Sequence, residues 1–225
     1  MGDISYPNES LEYRNARNKL LQAEIKLREH IEEVARQGRT LPPGGVLKEN
    51  YVFDERINGK EVRIKFSDLF SKGKDTLLLY SFMYSPDMEA ACPMCTSFLD
   101  GLDAQVVHIR EHIDIAVVAK HSLSAIHDHA HIRSWSHLRL LSSARNTYNT
   151  DYFGEVDGRQ ITNANVFVRG KDGIRHFWGT ELTMGPWIEG GNMRHLDLVW
   201  PLWNILDMTP AGRGNWYPKL DYGSK

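Results

Sequence analysis

The chain has 225 residues, of which 41% are hydrophobic and 25% are charged, and its formal net charge at pH 7 is -2. This composition is typical of a globular protein rather than a disordered or fibrous one, and the lack of a basic excess argues against nucleic acid or an anionic membrane as a partner. The most apolar stretch, residues 76–84, is far shorter than the roughly 20 residues that span a bilayer. The first residues, Met1–Tyr6, lack the basic and apolar segments of a secretory leader, so we expect a cytoplasmic protein.

Residues 10–37 have the spacing of one long amphipathic helix. Its apolar positions form a single stripe, which consists of Leu20, Ala23, Leu27, Ile31 and Val34. A helix of this length extends about 40 Å, so we expect a packing or dimerisation arm, the latter giving a homodimer, with a solvated helix over the core as the alternative. Residues 39–45 contain two prolines and two glycines and predict a linker. Residues 1–45 are therefore assigned to an N-terminal helical arm and linker.

From residue 46 onward, segments with strand and helix patterns alternate. Strands are predicted at residues 52–54, 62–66, 76–84, 113–119, 137–141, 165–169 and 174–178, and helices at 95–112, 122–133 and 196–208. This order predicts an α/β sheet covered by helices on both faces. We expect one domain over residues 46–210, followed by an extended C-terminal tail over residues 211–225.

The two cysteines of the chain, Cys92 and Cys95, are separated by two residues. A buried strand precedes them, and Phe98, Leu102 and Val106 follow at helical spacing, so the pair lies where a helix begins. Two cysteines this close cannot join distant elements through a disulfide, and a structural zinc site needs four ligands. A redox-active dithiol and a mixed cysteine–histidine metal site are the two kinds of site that fit.

The position at a helix start favours redox chemistry. The N–H groups of the first turn and the helix dipole stabilise a thiolate and lower the pKa of Cys92, and Pro93 suits the first helical position. Cys92 would then attack a disulfide, and Cys95 would resolve the mixed disulfide. Asp87 and Glu89 oppose this effect, because nearby carboxylates raise the pKa of a thiol.

Two other functions stay open from the residues alone. His127 and His131 share one face of a predicted helix at the i, i+4 spacing of metal ligands. They would complete a metal site with the two cysteines if the fold brings these residues together. The third function is a non-catalytic interaction module, in which the cysteines are inert and the N-terminal helix mediates assembly.

Several segments resemble one bacterial thioredoxin-like family of unknown function, whose members are predicted dithiol-disulfide oxidoreductases. These segments are LPPGG, LLLYSFMY, ACPMCTSFLDGLD, WSHLRLLSS, NTYN and HFWG. Over residues 46–208 the order of elements is similar to the thioredoxin fold. The resemblance implies a thiol-disulfide oxidoreductase that uses Cys92 and Cys95, with peroxide reduction as a variant. Its partners would be a disulfide-bearing protein or a small thiol or peroxide, and it would need no cofactor or metal.

The resemblance also implies a substrate cleft beside the dithiol. The side chains predicted to line it are Tyr84, Pro93, Met94, Thr162 and Asn163. Thioredoxin-like sites carry a cis-proline opposite the dithiol, but this chain has no proline between Pro93 and Pro186, a departure that favours the metal alternative. The strand before the motif also lacks a buried carboxylate, since Tyr80 or Ser81 stands in its place.

Overall fold

The structure is a computed structural model that describes residues 5–181, 201–210 and 217–222. It divides into two units, residues 1–42 and residues 43–225. The first unit contains helix α1, Leu11–Arg39, which begins after Ser10, whose side chain accepts a hydrogen bond from the Tyr13 N–H. This confirms the predicted long helix, and no residue of α1 is buried. The finer assignment of arm, domain and tail, with boundaries at residues 45 and 210, stays a prediction.

The second unit contains the predicted alternation of strands and helices. Its elements are β1 Val52–Ile57, β2 Lys60–Lys65, β3 Thr76–Ser81, α2 Pro93–Asp103, α3 Val106–Ile109, β4 Asp114–Ala119, α4 Leu123–Arg133, β5 Leu140–Ser142, α5 Tyr148–Asp151, β6 Glu155–Val156, β7 Arg159–Gln160, β8 Asn163–Gly170, β9 Gly173–Gly179 and α6 Pro201–Asp207. A 3-10 turn, Phe66–Leu69, connects β2 to β3. Of the last predicted helix, residues 196–200 lie outside the described residues.

One predicted helix is divided in two. The sequence predicts a continuous helix over residues 95–112, whereas α2 ends at Asp103 and α3 begins at Val106. Gly101 in the last turn of α2 weakens the helix by about 1 kcal/mol relative to alanine. The buried Asp103 carboxylate also accepts hydrogen bonds from the backbone N–H groups of residues 136–138, which ties the end of α2 to the segment before β5.

The seven-stranded sheet has the order β2-β1-β5-β4-β3-β8-β9. Strands β3, β4 and β5 are parallel, while β8 runs antiparallel to β3, and β9 antiparallel to β8. Strand β1 pairs antiparallel with β5 and with β2, across a turn at Asn58 and Gly59 where both residues have positive φ. Parallel central strands that are continued by an antiparallel hairpin, with a helix opening on C-x-x-C after β3, make a thioredoxin-like fold. The predicted fold class is confirmed.

The sheet has a separate hydrophobic core on each face, because side chains alternate along its strands. Within β3, Leu78 and Tyr80 lie in one core and Leu77 and Leu79 in the other. We call the first the dithiol face, which is lined by Tyr80, Phe82, Met94, Cys95, Phe98, Leu99, Ile126 and Ala130. The second is the aromatic face, lined by Tyr51, Phe53, Phe66, Leu69, Tyr148 and Phe167. Helices α2, α4 and α6 pack on the dithiol face. Helix α2 begins at the two cysteines and brings them to this face.

Candidate dithiol site

The two cysteines lie where the chain leaves β3 and enters α2. Cys92 is the N-cap residue of α2, with φ -59 and ψ 121, and Pro93 occupies the first helical position. The Cys92 N–H donates to the Met83 carbonyl oxygen at 3.1 Å, which fixes the loop between strand and helix. The dithiol therefore opens a helix, as the spacing predicts.

Burial distinguishes the two thiols. Both cysteines are free, and they lie 3.6 Å apart. Cys95 is 2% exposed and belongs to the core of the dithiol face, whereas Cys92 is only partly buried against its edge. The buried side chains of Met94, Phe98 and Leu99 hold α2 on the sheet, and this packing turns Cys95 inward.

Hydrogen-bond donors around Cys92 stabilise its thiolate. They lower the pKa of Cys92 to about 6, chiefly through the hydrogen bond from the Cys95 side chain, with the backbone N–H groups of Cys95 and Met94 and the Tyr217 hydroxyl adding to it. Burial opposes this shift but is outweighed. The pKa of Cys92 is thus well below the ordinary cysteine value of about 8.5, and the thiol is mostly ionised at pH 7.

The pKa of Cys95 is shifted in the opposite direction. Burial raises its pKa well above the ordinary value, and the hydrogen bond and negative charge shared with Cys92 raise it further. The phenol of Tyr80 lowers the pKa of Cys95 through a hydrogen bond, but less than burial raises it. At neutral pH the pair therefore holds one thiolate, on Cys92, and one thiol, on Cys95.

The Tyr80 phenol connects Cys95 of α2 to Thr162, the residue before strand β8. Tyr80 is 1% exposed and its ring centroid lies 4.9 Å from that of Phe98 in α2. The Thr162 hydroxyl donates to the Tyr80 hydroxyl oxygen at 2.7 Å. Thr162 directly precedes β8, which pairs with β3, so the sheet itself brings the two hydroxyls together.

The C-terminal segment 217–222 brings a second hydroxyl to the site. Its Pro218 is buried, and the Leu220 carbonyl oxygen accepts a hydrogen bond from Arg133 Nη1 at 2.8 Å. Arg133 of α4 also forms an ion pair with Asp100 of α2. This anchoring brings the Tyr217 hydroxyl within hydrogen-bonding distance of the Cys92 sulfur. Burial and the neighbouring cysteines raise the pKa of Tyr217 to about 12, so it is a hydrogen-bond donor at neutral pH.

Comparison with known proteins assigns the family. Residues 5–222 match the family described as "Bacterial protein of unknown function (DUF899)". The chain belongs to this family. No curated protein matches the chain.

Solved structures with a similar fold include thioredoxins and peroxiredoxins. A peroxiredoxin-like protein from Aquifex aeolicus is 15% identical over 62% of this chain and 75% of its own, with a TM-score of 0.42. A mitochondrial 2-Cys peroxiredoxin from Plasmodium falciparum is 11% identical over 73% and 95% of the two chains, with a TM-score of 0.43. The exposed lipoprotein thioredoxin Etrx1 of Streptococcus pneumoniae is 16% identical over 66% and 98%, with a TM-score of 0.41. The thioredoxin-like fold of this family member is assigned from the strand order of its sheet.

Of the side chains predicted to line a substrate cleft, two lie partly exposed near the dithiol. Pro93 follows Cys92 directly and is half-buried. Tyr84 is also half-buried, and its ring stacks on His121 with 4.5 Å between the centroids. Met94 is 4% exposed and packs into the core. A role of these three residues in substrate binding stays a prediction.

The other two predicted cleft residues have buried side chains that are engaged within the fold. Thr162 bonds to Tyr80, as described above. The Asn163 side chain donates to the Tyr152 carbonyl oxygen at 3.2 Å and accepts from the Thr180 hydroxyl at 2.5 Å. Substrate binding by Thr162 and Asn163 also stays a prediction.

The histidines of α4 do not join the cysteines. His131 is exposed, and the pKa of His127 is lowered by burial and by the nearby cation Arg56 of β1. His129 Nε2 lies 3.1 Å from the Thr96 hydroxyl, and its pKa is lowered by burial. Within the part of the chain that the structure describes, no three His, Cys, Asp or Glu side chains come together as a metal site would require.

Two residues of the site were missed by reasoning from sequence. The sequence marks Tyr80 only as the residue that stands where a carboxylate is absent, although strand alternation, which places it on the same face as Phe82, is a signal that could identify it. Tyr217 lies 122 positions after Cys95 in a segment without a periodic pattern. No sequence signal connects it to the dithiol.

Proposed function

We propose that this protein is a thiol-disulfide oxidoreductase in which Cys92 attacks a substrate disulfide and Cys95 resolves the mixed disulfide. The difference between the two thiols carries the proposal. Cys92 is partly exposed and is mostly a thiolate at neutral pH, while Cys95 is buried and holds its proton. A nucleophile that is both accessible and ionised, with a second thiol 3.6 Å away, is what a two-step exchange requires.

The proposed exchange transfers two electrons from the dithiol to the substrate. In the first step the Cys92 thiolate attacks one sulfur of the substrate disulfide, a mixed disulfide forms, and the other substrate sulfur leaves as a thiolate. In the second step Cys95 attacks the Cys92 sulfur and the bond between Cys92 and the substrate breaks. The proton of Cys95 passes to the departing sulfur, and the pair is left as a disulfide.

Peroxide reduction is a variant that uses the same two residues. The Cys92 thiolate would attack one peroxide oxygen, the O–O bond would break, and the other oxygen would leave as an alcohol or water after taking a proton. Cys92 is then a sulfenic acid, which condenses with the Cys95 thiol to a disulfide and releases water. Consumption of peroxide by the reduced protein, measured beside consumption of a disulfide, separates the two substrate classes.

The chemistry of the dithiol and the charge of the chain support a choice of partners. We propose a disulfide-bearing protein or a small thiol or peroxide as substrate, in the cytoplasm, with no role for nucleic acid or a membrane. The near-neutral charge of the chain supports the exclusion of polyanionic partners. Among the helices of residues 5–181, 201–210 and 217–222, none is both long and apolar enough to cross a membrane.

We also propose that a second copy of the chain pairs with helix α1. The stripe residues Leu20, Leu27, Ile31 and Val34 are between 37% and 59% exposed, and a continuous apolar stripe of this kind is typical of paired helices. Light scattering should report a dimer for the wild type and a monomer for the double variant Leu27→Lys, Ile31→Lys. The control Gln22→Lys adds a lysine on the opposite side of α1 and should stay dimeric. A monomeric wild type contradicts the pairing.

Counting released thiolate tests the proposed function. Reduced protein is mixed at pH 7 with an aromatic disulfide whose released thiolate absorbs visible light. The wild type should release both thiolates of the reagent. Cys95→Ser should release a single one and retain the mixed disulfide, which mass spectrometry detects. Cys92→Ser should release almost none, because the remaining thiol is buried and protonated.

Two results would contradict the proposal. A wild type that releases no thiolate has no exchange activity, and a Cys92→Ser variant that reacts at the wild-type rate shows that Cys92 is not the nucleophile. The metal alternative is tested on the same preparations. Stoichiometric zinc that is retained by the wild type and lost in both cysteine variants would favour it over redox chemistry.

A further inference from the structure

The buried phenol of Tyr80 occupies a position that the two-step exchange does not by itself explain. A hydroxyl taken out of water costs free energy unless it finds hydrogen-bond partners. The partners of Tyr80 are the Cys95 sulfur on one side and the Thr162 hydroxyl on the other. An apolar residue would fill the same space beside Phe98 without needing either partner. Packing alone therefore does not explain why a hydroxyl is buried at this position.

The hydrogen bonds of this group run in one direction. Thr162 donates to the Tyr80 hydroxyl oxygen, which leaves the Tyr80 proton for the Cys95 sulfur. The Cys95 thiol donates in turn to the Cys92 thiolate. Each group therefore accepts from the one before it and donates to the next, from Thr162 through Tyr80 and Cys95 to Cys92.

This arrangement changes when Cys92 enters a mixed disulfide. Its negative charge disappears, and with it the acceptor and the charge that keep the proton on Cys95. Burial still disfavours a Cys95 thiolate, but the bond from Tyr80 favours it. Burial holds the pKa of Tyr80 well above 10, so the phenol stays protonated and acts as a donor rather than as a base.

We propose that Tyr80 is a catalytic residue of the resolving step, in which it donates a hydrogen bond to the Cys95 sulfur as that sulfur becomes a thiolate, and that Thr162 is the positioning residue that orients the phenol. The inference rests on the proposed function and adds roles for Tyr80 of β3 and for Thr162, which directly precedes β8. The Cys95 proton leaves with the departing substrate thiolate, and Tyr80 keeps its own proton throughout. The sulfur–sulfur bonds formed and broken are those of the second exchange step.

The release of the two thiolates from an aromatic disulfide separates the steps that Tyr80 does and does not affect. In Tyr80→Phe the first thiolate should appear at nearly the wild-type rate, and the second about 10- to 100-fold more slowly, as expected for loss of one hydrogen bond to a charged group. The pH midpoint of the second release should also move upward. Thr162→Val should slow the same step by about 2- to 5-fold, and Thr162→Ser, which keeps the hydroxyl, should restore it.

A structural role alone would give a different pattern. Phe98→Leu loosens the packing around Tyr80 without removing its hydroxyl, so it should lower the thermal stability but leave the pH midpoint of the second release unchanged. If Tyr80→Phe does not fold, Thr162→Val and Thr162→Ser carry the same test. A second release in Tyr80→Phe with the wild-type rate and pH midpoint overturns the inference and leaves the proposed function standing. A wild type that releases no thiolate overturns the proposed function itself.

Discussion

The aromatic face and the dithiol face of the sheet share their strands but differ in chemistry. On the aromatic face, the rings of Tyr51, Phe53, Phe66, Tyr148 and Phe167 contact one another, with centroids 4.8 to 6.4 Å apart. On the dithiol face, apolar side chains surround a series of hydrogen-bonding groups formed by Thr162, Tyr80, Cys95 and Cys92. One face is an apolar core, and the other is a core built around a reactive pair.

Strand β3 keeps these two environments apart. Its alternation directs Leu77 and Leu79 to the aromatic face and Tyr80 to the dithiol face. The aromatic face stabilises the fold through buried apolar area, whereas the buried polar groups of the dithiol face gain little net stability from their hydrogen bonds. Substitutions on the first face should therefore change stability alone. Substitutions on the second face should also change thiol reactivity where they remove a hydrogen-bond donor to a thiol or open a cavity under the start of α2.

A matched pair of leucine substitutions gives the largest effect. Leu69 lies on the aromatic face and Leu99 on the dithiol face, and both are fully buried. Each change to alanine should lower the free energy of unfolding by about 2–5 kcal/mol, which urea denaturation measures. Only Leu99→Ala should also move the pKa of Cys92, because the cavity lies under the helix that supplies its N–H donors.

The pH dependence of Cys92 alkylation measures whether the pKa of Cys92 differs between Leu69→Ala and Leu99→Ala. Leu69→Ala should keep the midpoint of Cys92 alkylation near 6, as in the wild type. A midpoint that shifts equally in both variants would show that the two faces are not independent.

The stability of the reduced protein should rise with pH. The pKa of Cys92 is about 6 in the folded protein and about 8.5 in an unfolded chain, so between these values the unfolded chain binds more protons and alkaline pH favours folding. The full effect is on the order of 3 kcal/mol. Above about pH 8.5 the sign reverses, because the raised pKa of Cys95 then keeps a proton on the folded protein.

The oxidised protein is the control for this pH effect. Its disulfide has no thiol to titrate, so histidines such as His129 and His176, whose pKa values are lowered by burial, contribute equally in both redox states. Urea denaturation from pH 6 to 8.5 should show the extra rise in the reduced protein alone. An equal rise in the oxidised protein would assign the effect to groups other than Cys92.

Much of the dithiol face could be predicted from sequence, because local patterns determine it. The apolar run before Cys92, Pro93 at the first helical position and Ser122 as the cap of α4 each specify an element boundary through local backbone chemistry. The structure places α2 and α4 accordingly. The start of β5 was predicted three residues too early, since residues 137–139 precede Leu140, where the strand begins.

The contacts that tune the thiols could not be predicted in this way. Tyr80 and Thr162 lie 82 positions apart and meet only through the pairing of β3 with β8. Tyr217 reaches Cys92 because Arg133 holds the Leu220 carbonyl oxygen. Such contacts depend on tertiary structure, and neither periodicity nor spacing encodes them.

The smallest effect is expected at the edge of the dithiol face, where Tyr217 contacts Cys92. Tyr217→Phe removes one donor to the thiolate but leaves those of Cys95 and Met94, so the pKa of Cys92 should rise by about one unit or less. Since one pKa unit corresponds to about 1.4 kcal/mol, the reduction potential of the pair should fall by up to about 30 mV. The ring is 48% exposed and stays in place, so the thermal stability should change little.

Tyr222→Phe is the matched control for this change. It removes a hydroxyl from the same segment, one that accepts a hydrogen bond from the Lys219 N–H at 3.2 Å, whereas the hydroxyl that lowers the pKa of Cys92 is that of Tyr217. Alkylation of Cys92 as a function of pH, together with equilibration against glutathione, should show a shift for Tyr217→Phe and none for Tyr222→Phe. If Tyr217→Phe also leaves both quantities unchanged, the C-terminal segment does not tune the thiolate, and the low pKa of Cys92 comes from α2 and Cys95 alone.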